Sequence, residues 1–258
     1  MVNGLDKFKE QFSKFEGMYT LIGGVACGLL MDEAGLDFRS TKDFDVVLII
    51  EALNEDFGRA FWQFIKDGGY KIRERNNGEP EFYRFKNPKD TSYPKQIELF
   101  SRKSNMLKYD EDNRLTPIHI SDEISSLSAI LLNEEYYKLL TNGLTQVDGI
   151  QLLNYTHIIP FKAKAWLDLK TRKENGESVE SSNIKKHKHD VFRLSQLIAE
   201  TDRVELCKEI KADMTLFINA METEKIVLKD IGVSGSKSEI LELLEQVYLS
   251  TDREITMV

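Results

Sequence analysis

Two aspartates separated by one residue are the side chains of this sequence best placed to do chemistry. Asp43 and Asp45 open the segment DFDVVLII, whose apolar second half predicts a strand in the interior of a sheet. On an extended strand they point to one face and Phe44 points to the other. Adjacent carboxylates repel each other unless a cation neutralises them, and Mg²⁺ (or Mn²⁺) suits such oxygen ligands. The alternative is that both aspartates are solvated at the start of the strand.

A glycine pair stands between a predicted strand and a predicted helix, upstream of the aspartates. Gly23 and Gly24 follow the strand pattern of residues 19–22, and a helical pattern comes directly after them. The backbone N–H groups of such a turn can meet phosphate oxygens at the positive end of the helix. Glycine pairs also make turns without any ligand, so the pair gains its meaning from the aspartates that follow.

A third carboxylate, Glu98, interrupts the apolar segment KQIELF. In the strand predicted there, Gln96, Glu98 and Phe100 share one face. If this strand lies beside the strand of Asp43 and Asp45, three carboxylates converge, as two-metal nucleotidyl transfer requires. A solvent-facing position on an edge strand is the alternative for Glu98.

A glycine pair, a helix and four polar residues at every second position follow one another in the chain: Gly23, Gly24, Arg39, Thr41, Asp43 and Asp45. This order resembles the signature of the nucleotidyltransferase superfamily of the polymerase-β type, and more closely its AbiEii-type branch. The resemblance implies that the glycines, with Arg39 and Thr41, hold an NTP. It implies that Asp43, Asp45 and Glu98 are catalytic residues and metal ligands. It further implies a toxin-like role, with an RNA such as tRNA as the acceptor and an antitoxin protein as a partner.

The second half of the chain contains a basic segment. Residues 160–193 hold nine Lys or Arg and five Asp or Glu, a charge of +4 in a chain whose net charge is −8. Lys164 and Arg172, followed by the run at 185–194, are similar to a pattern of the same branch, which implies that Lys164 contacts a phosphate. Its apolar neighbours predict that Lys164 points inward. The alternative is that these lysines cover a solvated helix face.

Composition bounds the class of protein. The chain has 258 residues, of which 41% are hydrophobic and 30% are charged. These fractions are typical of a soluble globular protein with one large or two small domains. No apolar run is long enough to span a membrane, and the polar N-terminal segment lacks a secretory signal, so a cytoplasmic location is expected.

The order of patterns predicts the fold class. Residues 1–120 alternate helical and strand patterns, as expected of an α/β (α+β) nucleotidyltransferase-like mixed sheet with helices. Residues 121–258 are predicted to form a mostly helical domain with one hairpin near 144–153. Two of its helices, 203–220 and 237–249, are predicted to start at capping boxes, at 202–205 and 236–239.

Three functions remain open at this stage. The first is Mg²⁺-dependent transfer of an NMP from an NTP to a hydroxyl acceptor. The second is a noncatalytic nucleotide- or partner-binding module of the same fold. The third is a metal-dependent phosphohydrolase, in which water replaces the acceptor at the same acids.

Overall fold

The structure is a computed structural model, and it describes residues 2–49, 52, 54–74, 80–100, 130–131 and 133–250; the side chains of residues 72–74 and 80–83 are not described. The chain divides into two compact units. The first contains residues 1–132 and 144–154, and the second contains residues 133–143 and 155–258. The predicted domain boundary near residue 120 lies outside the described residues.

The first unit is built on a mixed sheet of seven strands in the order β3-β4-β5-β2-β1-β7-β6. The strands are β1 (Tyr19–Ile22), β2 (Asp43–Leu48), β3 (Lys71–Glu74), β4 (Pro80–Lys86), β5 (Gln96–Phe100), β6 (Leu144–Val147) and β7 (Ile150–Leu153). The β2–β5 and β1–β7 pairs are parallel, and the other neighbours are antiparallel. This mixed sheet, with the helical second unit, confirms the predicted fold class.

Three helices accompany the sheet: α1 (Leu5–Phe12), α2 (Gly23–Glu33) and α3 (Glu55–Gly68). Aromatic residues of α1 and α3 are buried beside β2 and β4, where the ring centroids of Phe8 and Phe44 are 5.4 Å apart and those of Phe61 and Phe85 are 5.6 Å apart. The side chain of Asn54 caps α3 by accepting a hydrogen bond from the N–H of Phe57 at 2.9 Å. This aromatic core covers one face of the sheet, and Phe8, Phe44, Phe61 and Phe85 are all buried in it.

The predicted hairpin forms, but it belongs to the sheet and not to the helical half of the chain. Strand β7 pairs in parallel with β1, with Leu152 opposite Leu21. The buried side chain of Gln151 accepts a hydrogen bond from the N–H of Gly17 and donates one to the carbonyl of Tyr19, both at 2.6 Å. The local sequence pattern predicts the hairpin itself. It does not predict the place of the hairpin in the sheet, because that depends on β1, which is distant in the sequence.

The second unit is mostly helical. Its helices are α4 (Glu134–Asn142), α5 (Tyr155–Glu174), α6 (Ser181–Leu194), α7 (Lys208–Thr223) and α8 (Lys237–Tyr248), with short 3₁₀ turns at Ser195–Leu197 and Leu228–Ile231. The capping box predicted for α8 is present between Ser236 and Glu239. The box predicted at 202–205 is absent, and α7 begins only at Lys208. Asp202 instead accepts hydrogen bonds from the N–H of Ala199 at 3.0 Å and from the hydroxyl of Tyr155 at 3.1 Å.

None of the described helices combines the length and the apolar character that a bilayer span requires.

Candidate active site

The two aspartates of the predicted site lie at the beginning of β2. Asp43 is exposed and Asp45 is half-buried, whereas Phe44 between them is fully buried against the aromatic core. The pleat of the strand therefore directs both carboxylates to the polar face, as predicted. Farther along β2, Val46 and Val47 point to opposite faces of the sheet, and both are buried. The polar face is therefore confined to the beginning of the strand.

The glycine pair forms the junction between β1 and α2. Helix α2 begins at Gly23 itself, and no side chain caps its N-terminus. Gly23 has a φ of +70°, and a Cβ atom there would lie 1.8 Å from Oδ2 of Asp45. The register explains this approach, because Ile22 is the cross-strand partner of Asp45. The Asp45 carboxylate therefore lies against the backbone at the positive end of a helix.

Two more predicted site residues lie beside the second glycine. A Cβ atom on Gly24 would lie 2.4 Å from Oγ1 of Thr41 and 3.6 Å from Nη2 of Arg39. Arg39 and Thr41 are both half-buried and belong to the segment between α2 and β2. The structure thus places five predicted residues at one point, the start of α2: Gly23, Gly24, Arg39, Thr41 and Asp45.

Glu98 lies on the neighbouring strand but is held by another partner. It is the register partner of Asp45 in the parallel β2–β5 pair. Its Oε1 lies 2.9 Å from Nε of Arg84 and accepts a hydrogen bond from Nε2 of Gln96 at 2.7 Å. Over the described part of the chain, no three His, Cys, Asp or Glu side chains are grouped so that they could share a metal ion. Glu98 therefore lies beside Asp45 but in an ion pair with Arg84, and its role as a third metal ligand stays a prediction.

The arrangement of Asp43, Asp45 and Gly23 fits a magnesium ion that is bound together with a nucleotide. Mg²⁺ is commonly bound through one or two carboxylates plus substrate phosphates, and it keeps several waters. Asp43 and Asp45 supply two carboxylates on one strand face. A side chain at Gly23 would meet the Asp45 carboxylate, and the N-terminus of α2 that begins there has no side-chain cap. The donor set therefore suits a divalent ion with a phosphate ligand.

Lys164 lies on α5 in the second unit, where it is bound to carboxylates. Its Nζ donates to Oδ1 of Asp213 at 3.1 Å and lies 3.6 Å from Oδ1 of Asp168. Burial alone lowers the pKa of Lys164, but the hydrogen bond to Asp213 and the two negative charges raise it above its ordinary value. The hydroxyl of Tyr136 donates to the other oxygen of Asp213 at 2.9 Å. Lys164 is thus a protonated, held cation in this unit.

The most deeply buried lysines of the basic segment are Lys162 and Lys188, whereas the sequence predicted Lys164. The Lys164 side chain is 27% exposed, whereas those of Lys162 and Lys188 are each 7% exposed. Lys162 donates to the fully buried Asp190 at 3.0 Å, and Lys188 donates to Glu224 at 2.8 Å. The alternation of lysine with small residues in FKAKAW does not distinguish Lys162 from Lys164. Which of the two is buried depends on the side of α5 against which α6 and α7 pack.

Much of the positive charge of the basic segment is neutralised within the unit. At least six of its nine cations lie within 4 Å of a carboxylate: Lys162, Lys164, Lys170, Arg172, Lys188 and Arg193. Their partners come mainly from α6, α7 and the residue that follows α7. The excess of +4 counted along the sequence therefore does not translate into an equal excess of unpaired charge.

Sequence reasoning missed the role of Arg84 beside the candidate site and, in the second unit, the buried Lys162–Asp190 pair. Arg84 lies in the strand segment EFYRFK, where a cation on an alternating strand is an ordinary solvent-facing pattern. The structure pairs the two strands in an antiparallel manner, with Arg84 opposite Glu98. Only the register brings them together.

No family model and no curated protein matches this chain. Two solved structures are similar to it. The crystal structure of an antigenic nucleotidyltransferase-like protein from Paracoccidioides brasiliensis has a TM-score of 0.48 and 12% identity, over 94% of this chain and 90% of that one. The solution structure of the antibiotic-resistance factor ANT(2'')-Ia has a TM-score of 0.36 and 8% identity, over 84% of this chain and 91% of that one. A function for this chain must therefore be argued from its own side chains.

Proposed function

We propose that this protein is a Mg²⁺-dependent nucleotidyltransferase that moves an NMP from an NTP to a hydroxyl acceptor and releases pyrophosphate. The observation that carries this proposal is the approach of the Asp45 carboxylate to Gly23 at the uncapped start of α2. A carboxylate beside a helix N-terminus is where a metal ion and a phosphate chain can be bound together.

Each residue of the site has a role in this scheme. The first N–H groups of α2 donate to phosphate oxygens, because no side chain at the glycine turn blocks their approach. Asp43 and Asp45 hold Mg²⁺, which when bound neutralises charge on the triphosphate. The guanidinium of Arg39 and the hydroxyl of Thr41, beside Gly24, donate to the same phosphates. For Lys164, a phosphate contact is what the family resemblance implies, and within the second unit its ammonium is bound to Asp213.

The acceptor and partners are proposed from the resemblance of the Gly23–Asp45 segment to the AbiEii-type branch. That resemblance favours a toxin-like enzyme whose acceptor is the hydroxyl of an RNA such as tRNA. An antitoxin protein is the corresponding partner. In the reaction, the acceptor oxygen forms a bond to the α-phosphorus, the bond to pyrophosphate breaks, and the acceptor proton leaves.

A noncatalytic nucleotide-binding module is the second candidate, and one observation favours it. The third carboxylate of the face, Glu98, is paired with Arg84 and so leaves two carboxylates rather than three. A site of that kind can bind a metal–nucleotide complex, whereas it lacks a third acid to take up the acceptor proton.

Incubation with each α-³²P-labelled NTP, Mg²⁺ and total RNA separates these functions. Label that becomes covalently bound to RNA, and whose incorporation EDTA added beforehand prevents, supports nucleotidyl transfer. Saturable nucleotide binding without labelled product supports the noncatalytic module. Release of inorganic phosphate from γ-labelled NTP without labelled RNA would indicate a phosphohydrolase and contradict the proposal.

Conservative variants connect the activity to the proposed site. Asp43→Asn and Asp45→Asn keep the side-chain shape and remove the charge, and each is expected to lower the transfer rate at least ~100-fold, in line with the loss of a metal ligand. Asp56→Asn on the exposed surface of α3 is the matched control and should leave the rate unchanged. Full activity in either site variant would show that the metal assignment is wrong.

A further inference from the structure

The sheet face that carries the two aspartates also holds a cation, Arg84. Arg84, Glu98, Asp45 and Ile22 are register partners in one row across β4, β5, β2 and β1. Register partners project to the same face, with Cβ atoms about 5 Å apart. The row therefore presents one guanidinium followed by two carboxylates.

The contact between Arg84 and Glu98 is short and shielded. Nε of Arg84 lies 2.9 Å from Oε1 of Glu98, and the two side chains are 16% and 14% exposed. The same oxygen also accepts the hydrogen bond from Gln96. Because most of the pair is removed from water, the attraction is screened less than that of a surface ion pair.

The ion pair opposes the use of Glu98 as a metal ligand. A divalent cation and a guanidinium compete for the same carboxylate, and Oε1 already accepts a hydrogen bond from Gln96 and lies in ion-pair contact with Arg84. Lys86 adds a further cation to this face, since it is the register partner of Gln96 in the row that ends at Asp43. Both cations approach from the β4 side, opposite to the side on which α2 begins.

We propose that Arg84 keeps Glu98 away from a divalent ion bound at Asp43 and Asp45, so that these two aspartates are the protein ligands in the resting state. Arg84 is a positioning residue that acts through Glu98. The inference rests on the proposed function, because it requires a metal ion at the aspartates. Three acids share the face, and the proposal rests on the ion pair that one of them, Glu98, forms with Arg84.

Manganese binding, followed by the electron paramagnetic resonance signal of free Mn²⁺, tests this inference without any turnover. Arg84→Met releases Glu98 and is expected to tighten Mn²⁺ binding about tenfold, since affinity follows the charge of the ligand set. Glu98→Gln should change the affinity less than twofold, and Arg84→Met combined with Glu98→Gln should behave like Glu98→Gln alone. Arg84→Lys, which keeps the charge, should remain close to the wild type.

A matched control and two contrary outcomes complete the binding experiment. Arg59→Met removes an exposed guanidinium of α3 that is paired with Asp56, and it should leave Mn²⁺ binding unchanged. Weaker Mn²⁺ binding by Glu98→Gln would show that Glu98 is already a ligand and would overturn the proposal. Unchanged or weaker binding by Arg84→Met would overturn it as well.

A metal-free measurement separates failure of this inference from failure of the proposed function. In EDTA, urea unfolding of Arg84→Met, Glu98→Gln and their combination gives the coupling between the two residues. A double variant destabilised by less than the sum of the two single effects supports the pair, whereas additivity overturns it whatever the metal does. If the coupling is present but Asp45→Asn binds Mn²⁺ like the wild type, the metal assignment at the aspartates is wrong, and the competition proposed for Arg84 fails with it.

Discussion

Gly23 and Asp45 approach each other so closely that a Cβ atom on Gly23 would lie 1.8 Å from Oδ2 of Asp45. Gly23 also has a φ of +70°, a conformation that residues with a side chain rarely adopt. Two independent conditions therefore require glycine at this position. The close approach brings the start of α2 into contact with the end of β2 that carries the aspartates.

Replacement of this glycine by alanine is expected to disrupt the site. Gly23→Ala should displace the Asp45 carboxylate, abolish Mn²⁺ and NTP binding, and destabilise the fold. Gly17→Ala is the matched control, because Gly17 has a φ of +80° but nothing within 4 Å of an added Cβ. It should cost only about 1 kcal/mol of conformational strain. Urea unfolding measures the loss of stability, and equilibrium nucleotide binding measures the loss of affinity. Equal results for the two variants would contradict the close approach of Gly23 and Asp45.

The buried Lys162–Asp190 pair is expected to be a major contributor to the stability of the second unit. The Lys162 and Asp190 side chains are 7% and 0% exposed, and Nη1 of Arg193 lies 3.5 Å from the other oxygen of Asp190. Lys162→Met removes the 3.0 Å cationic partner of a fully buried carboxylate, which should lower the free energy of unfolding by about 3 kcal/mol.

An exposed lysine provides the comparison for this pair. Lys138→Met removes the same type of charge from a surface pair with Glu135, in which the lysine side chain is 58% exposed. The expected cost is below about 1 kcal/mol. Urea unfolding gives both values, and a loss at Lys162 no greater than that at Lys138 would be inconsistent with a buried, tightly paired charge.

Stability is expected to fall as the pH drops below 6.5. Burial lowers the pKa of His157 in the folded protein, so the unfolded chain takes up the proton first and stability is lost as the pH falls toward the folded pKa. Burial, together with nearby Arg193 and Lys188, lowers the pKa of His189 in the same direction. His157→Gln should reduce the loss of stability between pH 7 and pH 5.5, measured by urea unfolding; an unchanged slope would exclude His157 as a contributor.

The capping box of α8 gives a prediction about a single hydrogen bond. The N–H of Glu239 donates to the Ser236 hydroxyl at 3.2 Å, and the Glu239 carboxylate accepts from the N–H of Ser236 at 2.9 Å. Ser236→Ala should lower the free energy of unfolding by about 1 kcal/mol. Glu205→Ala tests the box that the sequence suggested and the structure lacks, and it should have no measurable effect. Thermal unfolding of the two variants, compared side by side, distinguishes them.

Local pattern was sufficient to locate much of the site. The i, i+2 spacing of Asp43 and Asp45 needs only an extended backbone to share a face, and the polar-to-apolar change along DFDVVLII marks the end of the strand at which they lie. The glycine pair is likewise a local signal, since a strand, a sharp turn and a helix follow directly in the chain. These properties depend on residues close in sequence, which is why periodicity and residue type predicted them.

The partners of the charged side chains were decided only in the tertiary structure. Glu98 meets Arg84 because β4 and β5 pair in one particular register, and a shift of one residue would send Arg84 to the opposite face. The burial of Lys162 rather than Lys164 depends on which side of α5 faces α6 and α7. The sequence thus determines which residues can carry charge or bind metal, whereas strand order, register and helix packing determine which charges are brought together, because those contacts join residues far apart along the chain.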